Sequence, residues 1–224
     1  MKRRLPFVII IAALAVTLVT AWYFKRSSTR SPLTAGLSGQ RQSGPVREGA
    51  TPAHSLGSID AAVMLEEFAD FQCSACGKLH PTLDDLKDAF GSRLVIVFRQ
   101  FPLVNAHANA LIAARAAEAA GLQGKFWQMH DALFEHQEDW RDVADPKSLF
   151  DEYATRIGLD VGKFQADMTS QTVEQRIALD KERGRWIGVN STPTVFLNGR
   201  EIALESLSTD TLRELINKEI AAGK

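Results

Sequence analysis

Cys73 and Cys76 are the only cysteines among the 224 residues, and they stand three apart. A structural disulfide stabilises mainly by closing a long loop, and this pair closes almost none. Its chemistry is therefore reactive: two thiols one helical turn apart can exchange a disulfide with another thiol or ligate a metal. The tetrapeptide Cys73-Ser74-Ala75-Cys76 follows a β-rich run, Val63-Met64-Leu65-Glu66-Glu67-Phe68. It precedes a helix pattern in which Leu79, Leu83, Leu86 and Phe90 share one face and Gly91 closes the run. Cys73 then falls at a helix N-terminus, where free N–H groups and the helix dipole favour its thiolate, and Cys76 becomes the resolving thiol.

The elements that must hold this pair are readable around it. Leu94-Val95-Ile96-Val97-Phe98 is a second β-rich run, so strand, helix and strand form a βαβ unit with two parallel strands. Residues from about 104 to 188 read almost wholly helical, with an Ala-rich stretch over 108–120 and an amphipathic one over 126–134. Thr194-Val195-Phe196-Leu197 is a short strand. Asn198-Gly199 turns it back onto residues 201–204, because both turn positions need positive φ. Ser208 caps a last amphipathic helix through Leu212, Leu215 and Ile220. The order βαβ, helical block, ββα is an α/β fold.

With these residues in place, the segment from Phe68 to Cys76 resembles the active-site segment of the DsbA-like thioredoxin-fold oxidoreductases. Ser191-Thr192-Pro193-Thr194 is similar to their loop bearing a cis-proline, and the likeness runs through Phe101-Pro102-Leu103, the Ala-rich helix and Lys125-Phe126-Trp127. The resemblance implies a thioredoxin fold with an all-helical insertion between the redox motif and the cis-proline loop. It implies Cys73 as nucleophile, Cys76 as resolving thiol, and Glu67 as a buried acid that relays the proton of Cys76. Thr192, Pro193, Ser74 and Ala75 would face the substrate. A redox-active Cys73–Cys76 disulfide would serve in place of any cofactor, and exported proteins with thiols or disulfides would be the substrates, recycled by a membrane or soluble redox partner. Ser-Ala between the cysteines departs from the Pro and His of the strongly oxidising members; oxidation is favoured over reduction because oxidants dominate the family.

The flanks set the location. After Lys2-Arg3-Arg4, residues 5–24 carry no charge, and twenty residues at ~1.5 Å each give ~30 Å, a bilayer core. Residues 1–26 are thus a transmembrane anchor or a signal peptide, with Val19-Thr20-Ala21 as the cleavage alternative. Residues 27–56, rich in Ser, Thr, Gly, Pro and Arg, read as a flexible linker, and residues 57–224 as the domain. This organisation predicts a single-pass protein of the cell membrane with its catalytic domain on the periplasmic or extracellular side. Eight basic residues and no acid lie in 1–47, which leaves 18 basic against 27 acidic residues beyond, a balance that excludes nucleic acid as a partner.

Two further readings compete. His80, four residues after Cys76, makes with the thiols an incomplete metal site, so a tethered metal-binding or copper-delivery module is the alternative function. Trp186 and Phe71 either line a substrate groove or pack in the core, and Pro81 is expected to kink its helix.

Overall fold

The structure is a computed structural model that describes residues 47–223; the apolar run of residues 5–24 and most of the linker lie outside the described residues. Among those described, no helix is long and apolar enough to cross a membrane.

Five strands form one sheet in the order β1-β3-β2-β4-β5: β1 His54–Leu56, β2 Val63–Ala69, β3 Leu94–Gln100, β4 Thr194–Leu197 and β5 Arg200–Ile202. β2 and β3 are parallel, joined by α1 (Ser74–Phe90), and the other pairs are antiparallel. β2 is central and buried on both faces, as its nearly continuous apolar run requires. Val63 and Leu65 meet Leu79, Leu83 and Leu86 of α1, and Leu212 and Ile216 of the last helix, α8 (Thr209–Ala222). Phe68 packs edge-on against Phe101 and Phe196. The hairpin turn takes the expected form, with Asn198 and Gly199 at φ 48° and 76°. α1 continues through Pro81 as one helix, without the interruption that a proline there suggests.

The insertion consists of α2 (Ala110–Gly121), α3 (Phe126–Glu135), α4 (Gln137–Trp140), α5 (Lys147–Arg156), α6 (Val161–Asp167) and α7 (Gln171–Trp186). Its axis is α2, whose alanines at 113, 114, 116, 117, 119 and 120 are all buried. Side chains that small let neighbouring helices approach closely, while Phe126, Met129, Leu133, Trp140, Phe150 and Phe164 fill the space around them.

β1 was not expected. His54 to Leu56 lie inside the stretch read as linker, yet they pair with Ile96 to Phe98. The cause is polar and long-range. The Ala50 N–H donates to Asp180 Oδ1 at 2.8 Å, and Arg99 Nη1 donates to the Ala50 carbonyl at 2.9 Å and to Asp180 Oδ1 at 3.0 Å. The Gln100 N–H takes the other oxygen, Asp180 Oδ2, at 3.1 Å. Arg99 also donates to Glu66 Oε1 at 2.8 Å, and Arg183 grips the same carboxylate at 2.7 and 2.8 Å. One strand along, His54 meets Glu118 at 2.9 Å and stacks on Phe126. None of these partners is near in sequence, so nothing local in residues 47–56 announces a strand.

Asp180 is the joint of this network: removing it leaves Arg99 short of an anionic partner and two backbone N–H groups unpaired in the interior. Asp180→Ala should therefore lower unfolding stability by about 3–5 kcal/mol, read from a guanidinium or urea midpoint. A loss below about 1 kcal/mol would show that water replaces the carboxylate and that the network is not what secures β1.

Candidate active site

The redox turn begins where β2 ends. Asp70 is buried, and both its carboxylate oxygens work on the turn: Oδ1 accepts the Gln72 N–H at 2.8 Å, and Oδ2 accepts the Leu103 N–H at 2.9 Å. His107 Nδ1 lies 2.7 Å from the same Oδ2. The Asp70 carbonyl accepts the Cys73 N–H at 3.0 Å. From the other side, Gln137 Nε2 donates to the Phe71 carbonyl at 2.6 Å and the Cys73 carbonyl at 3.0 Å. Gly77 makes room for this side chain, since a Cβ there would stand 2.8 Å from Gln137 Oε1. Asp70, His107 and Gln137 were not singled out in the sequence; Asp70 directly before the aromatic-Gln-Cys run carried the only signal.

Cys73 occupies the N-cap of α1 in extended conformation, and no side chain caps the helix. It is 9% exposed and Cys76 is fully buried. The Cys73 sulfur lies 3.3 Å from the Thr192 carbonyl oxygen, which places the Thr192–Pro193 loop against Cys73; that peptide bond is cis. Pro193 is buried and Ser74 exposed. Phe71 is core, stacked on Phe98, and Trp186 is half-buried.

The electrostatics separate the two thiols. Cys73 is brought down to about 5, chiefly because the Cys76 thiol donates to its sulfur. Burial opposes the shift, and the Thr192 side chain with the N–H groups of Cys76 and Ala75 adds to it. The Thr192 hydroxyl is buried with no other partner among the described residues, so it is free to donate to the thiolate. Cys76 moves far the other way, through burial first, then its bond to Cys73 and the charge of Glu67. Glu67 is raised to about 8, mainly by burial, with His80 pulling it down and Cys73 pushing it up. The acid beside it, Glu66, is also buried but points to the opposite face, where Arg99 and Arg183 hold it ionised below its usual range in spite of burial. At neutral pH the site thus holds one thiolate at the helix tip, one more deeply buried thiol, and one buried acid that keeps its proton.

His80 does not join the thiols. Its Nε2 turns to Asp131 Oδ1 at 3.2 Å and Asp84 Oδ2 at 3.5 Å, and among the described residues neither cysteine belongs to a group of three metal-binding side chains.

A thioredoxin family model matches residues 50–218. Among curated proteins, the Na⁺/H⁺ antiporter NhaA 1 of Mycolicibacterium vanbaalenii is 37% identical over 196 residues, 85% of this chain and 30% of its own length. The chain therefore spans about 30% of the length of that relative. Among solved structures, a thioredoxin-like oxidoreductase from Silicibacter pomeroyi is 25% identical with a TM-score of 0.61, covering 74% of this chain and 91% of its own. BdbD from Bacillus subtilis shares the fold at 22% identity and a TM-score of 0.67, over 75% and 93% of the two chains.

The difference between the thiols is directly measurable. Iodoacetamide should label Cys73 of the reduced protein with a pH–rate profile that rises through about 5, and Cys76 orders of magnitude more slowly at pH 7. Peptide mapping after partial alkylation reads both; faster labelling of Cys76, or a Cys73 midpoint near 8.5, would reverse the assignment.

Proposed function

The chain belongs to the thioredoxin family, and from that premise we propose that it is a DsbA-like thiol–disulfide oxidoreductase that forms disulfide bonds in exported proteins. The observation carrying the direction is the Cys73 thiolate, held down by the Cys76 thiol, the Thr192 side chain and two backbone N–H groups. Interactions that stabilise the thiolate stabilise the reduced pair, and a stabilised reduced pair is a stronger oxidant.

The steps follow from the geometry. A substrate thiolate attacks the sulfur of Cys73, the accessible end of the Cys73–Cys76 disulfide, and the bond to Cys76 breaks. Cys76 is a poor thiolate where it is buried, so it departs as a thiol by taking the proton of Glu67, which is still protonated at pH 7 with a value of about 8. A second substrate thiolate then attacks the substrate sulfur of the mixed disulfide. Cys73 leaves as the thiolate that its surroundings favour, and the substrate carries away a disulfide while the pair is reduced. Thr192 offers its backbone beside Cys73 to an extended substrate segment, with Pro193, Ser74 and Ala75 bordering the same spot. A partner that reoxidises the pair completes the cycle, and the pair itself supplies all the redox chemistry.

The apolar residues 5–24 support a membrane anchor that holds the domain on the periplasmic or extracellular side, where disulfides persist. The antiporter relatives, by name membrane transporters, support the same placement at a membrane surface.

Equilibration with glutathione tests the direction: the potential should lie nearer the roughly −120 mV end of the known range than the −270 mV end. A value near −270 mV would overturn the oxidase direction and leave the exchange chemistry intact. Glu67→Gln, which has no proton to give, should slow oxidation of a dithiol peptide at pH 7 by about a hundredfold with the potential little changed. Unchanged kinetics would remove Glu67 from the mechanism.

A further inference from the structure

On the face of α1 that meets α3, His80 converges with two side chains of α3, and Asp84 stands beside it. His80 and Asp84, one turn apart on α1, face His130 and Asp131 on α3. The ligating atoms of His80, His130 and Asp131 all lie within 4.8 Å of one another. His130 Nδ1 is 2.8 Å and His80 Nε2 3.2 Å from Asp131 Oδ1, and Asp84 Oδ2 is 3.5 Å from the same His80 nitrogen.

We infer that this cluster is a binding site for a divalent transition-metal ion, zinc above all, held by His80, His130 and Asp131, with the half-exposed Asp84 swinging in from beside His80 as the fourth ligand. Tetrahedral zinc with metal–ligand bonds of ~2.0–2.2 Å places neighbouring donor atoms ~3.3–3.5 Å apart. Two of the three measured separations already meet that spacing. The third, His130 to Asp131, is short by about half an ångström, and the Asp131 side chain is 45% exposed and free to swing. Two imidazole donors select zinc, cobalt, nickel or copper over calcium and magnesium, which prefer oxygen alone.

The donors are preorganised. The His80 ring stacks on Phe134, and His130 is boxed by Phe71, Phe98, Trp127 and Phe134, so neither ring has room to turn away. Asp84 and Asp131, at 47% and 45% exposed, form the mouth through which an ion would enter. Glu135 adds a third negative charge acting on His80. In the ion-free protein Asp131 Oδ1 serves as the common partner of both imidazoles. A cation instead takes a lone pair from each nitrogen. The site would pin the redox helix to the insertion one turn beyond Cys76, and it stands independently of whether the thiols oxidise or reduce.

The test uses the full chain with the Cys73–Cys76 disulfide closed by diamide, which removes the thiols as ligands. Calorimetry with zinc should show one equivalent bound, and zinc at about a hundredfold its Kd should raise the melting temperature by roughly 5 °C or more. Cobalt should give the d–d bands of a tetrahedral nitrogen–oxygen site with no sulfur charge-transfer band. Asp84→Asn, at a half-exposed position that spares the fold, and His130→Gln should each weaken binding by at least the roughly 10–100-fold that loss of an outer hydrogen-bond partner costs. No binding to the disulfide form, affinity unchanged in Asp84→Asn, or equal affinity for calcium would each overturn the site.

Discussion

The site depends on one constraint: the turn from Asp70 to Cys73 must stay fixed while its cysteine leaves the shelter of a strand for the tip of a helix. A turn at that junction has carbonyls and N–H groups that no ladder satisfies. Asp70 takes the Gln72 and Leu103 N–H groups, and Gln137, from the insertion, takes the Phe71 and Cys73 carbonyls. The thioredoxin core thus supplies the thiols, and the inserted helices supply part of the clamp that aims them. This explains why the insertion packs its apolar surface directly against Phe71, Cys73 and Cys76 rather than standing apart from them.

The unequal thiols follow from the same construction. A sulfur at the end of a helix collects hydrogen bonds from every group pointing out of that end, whereas a sulfur one turn further in meets side chains and a buried acid. Depth along a single helix is enough to make one cysteine a good leaving group and the other a poor thiolate. Glu67 and Glu66 divide in the same way across the pleat of β2. Adjacent identical side chains face opposite sides, one toward two arginines and one toward the redox pair, and their proton affinities diverge accordingly.

What the sequence disclosed was what local periodicity and turn chemistry control. The run from Val63, the helix through Leu86 and the Asn198-Gly199 hairpin each carry their own pattern, so the order of elements was legible. β1 was hidden because its partners are Asp180, Arg99 and Glu118, far along the chain, and its own residues look like tether. Gln137 was hidden for the same reason: an amide on a one-turn helix has no pattern of its own. His80 illustrates the converse error. Its i+4 relation to Cys76 suggested a shared site, yet the imidazole is drawn by the carboxylate of Asp131 on another helix.

The bond between Ala50 and Asp180 also orders events in time. The backbone around residue 50 is made 130 residues before its partner carboxylate. A chain leaving the ribosome N-terminus first can therefore pair β1 with β3 once Gln100 has emerged, but it cannot lock that pair through the Asp180 carboxylate until α7 follows. Throughout that interval the outer edge of β3 is covered only by a three-residue strand that its polar network does not yet hold. A chaperone handling this chain would meet it in that state.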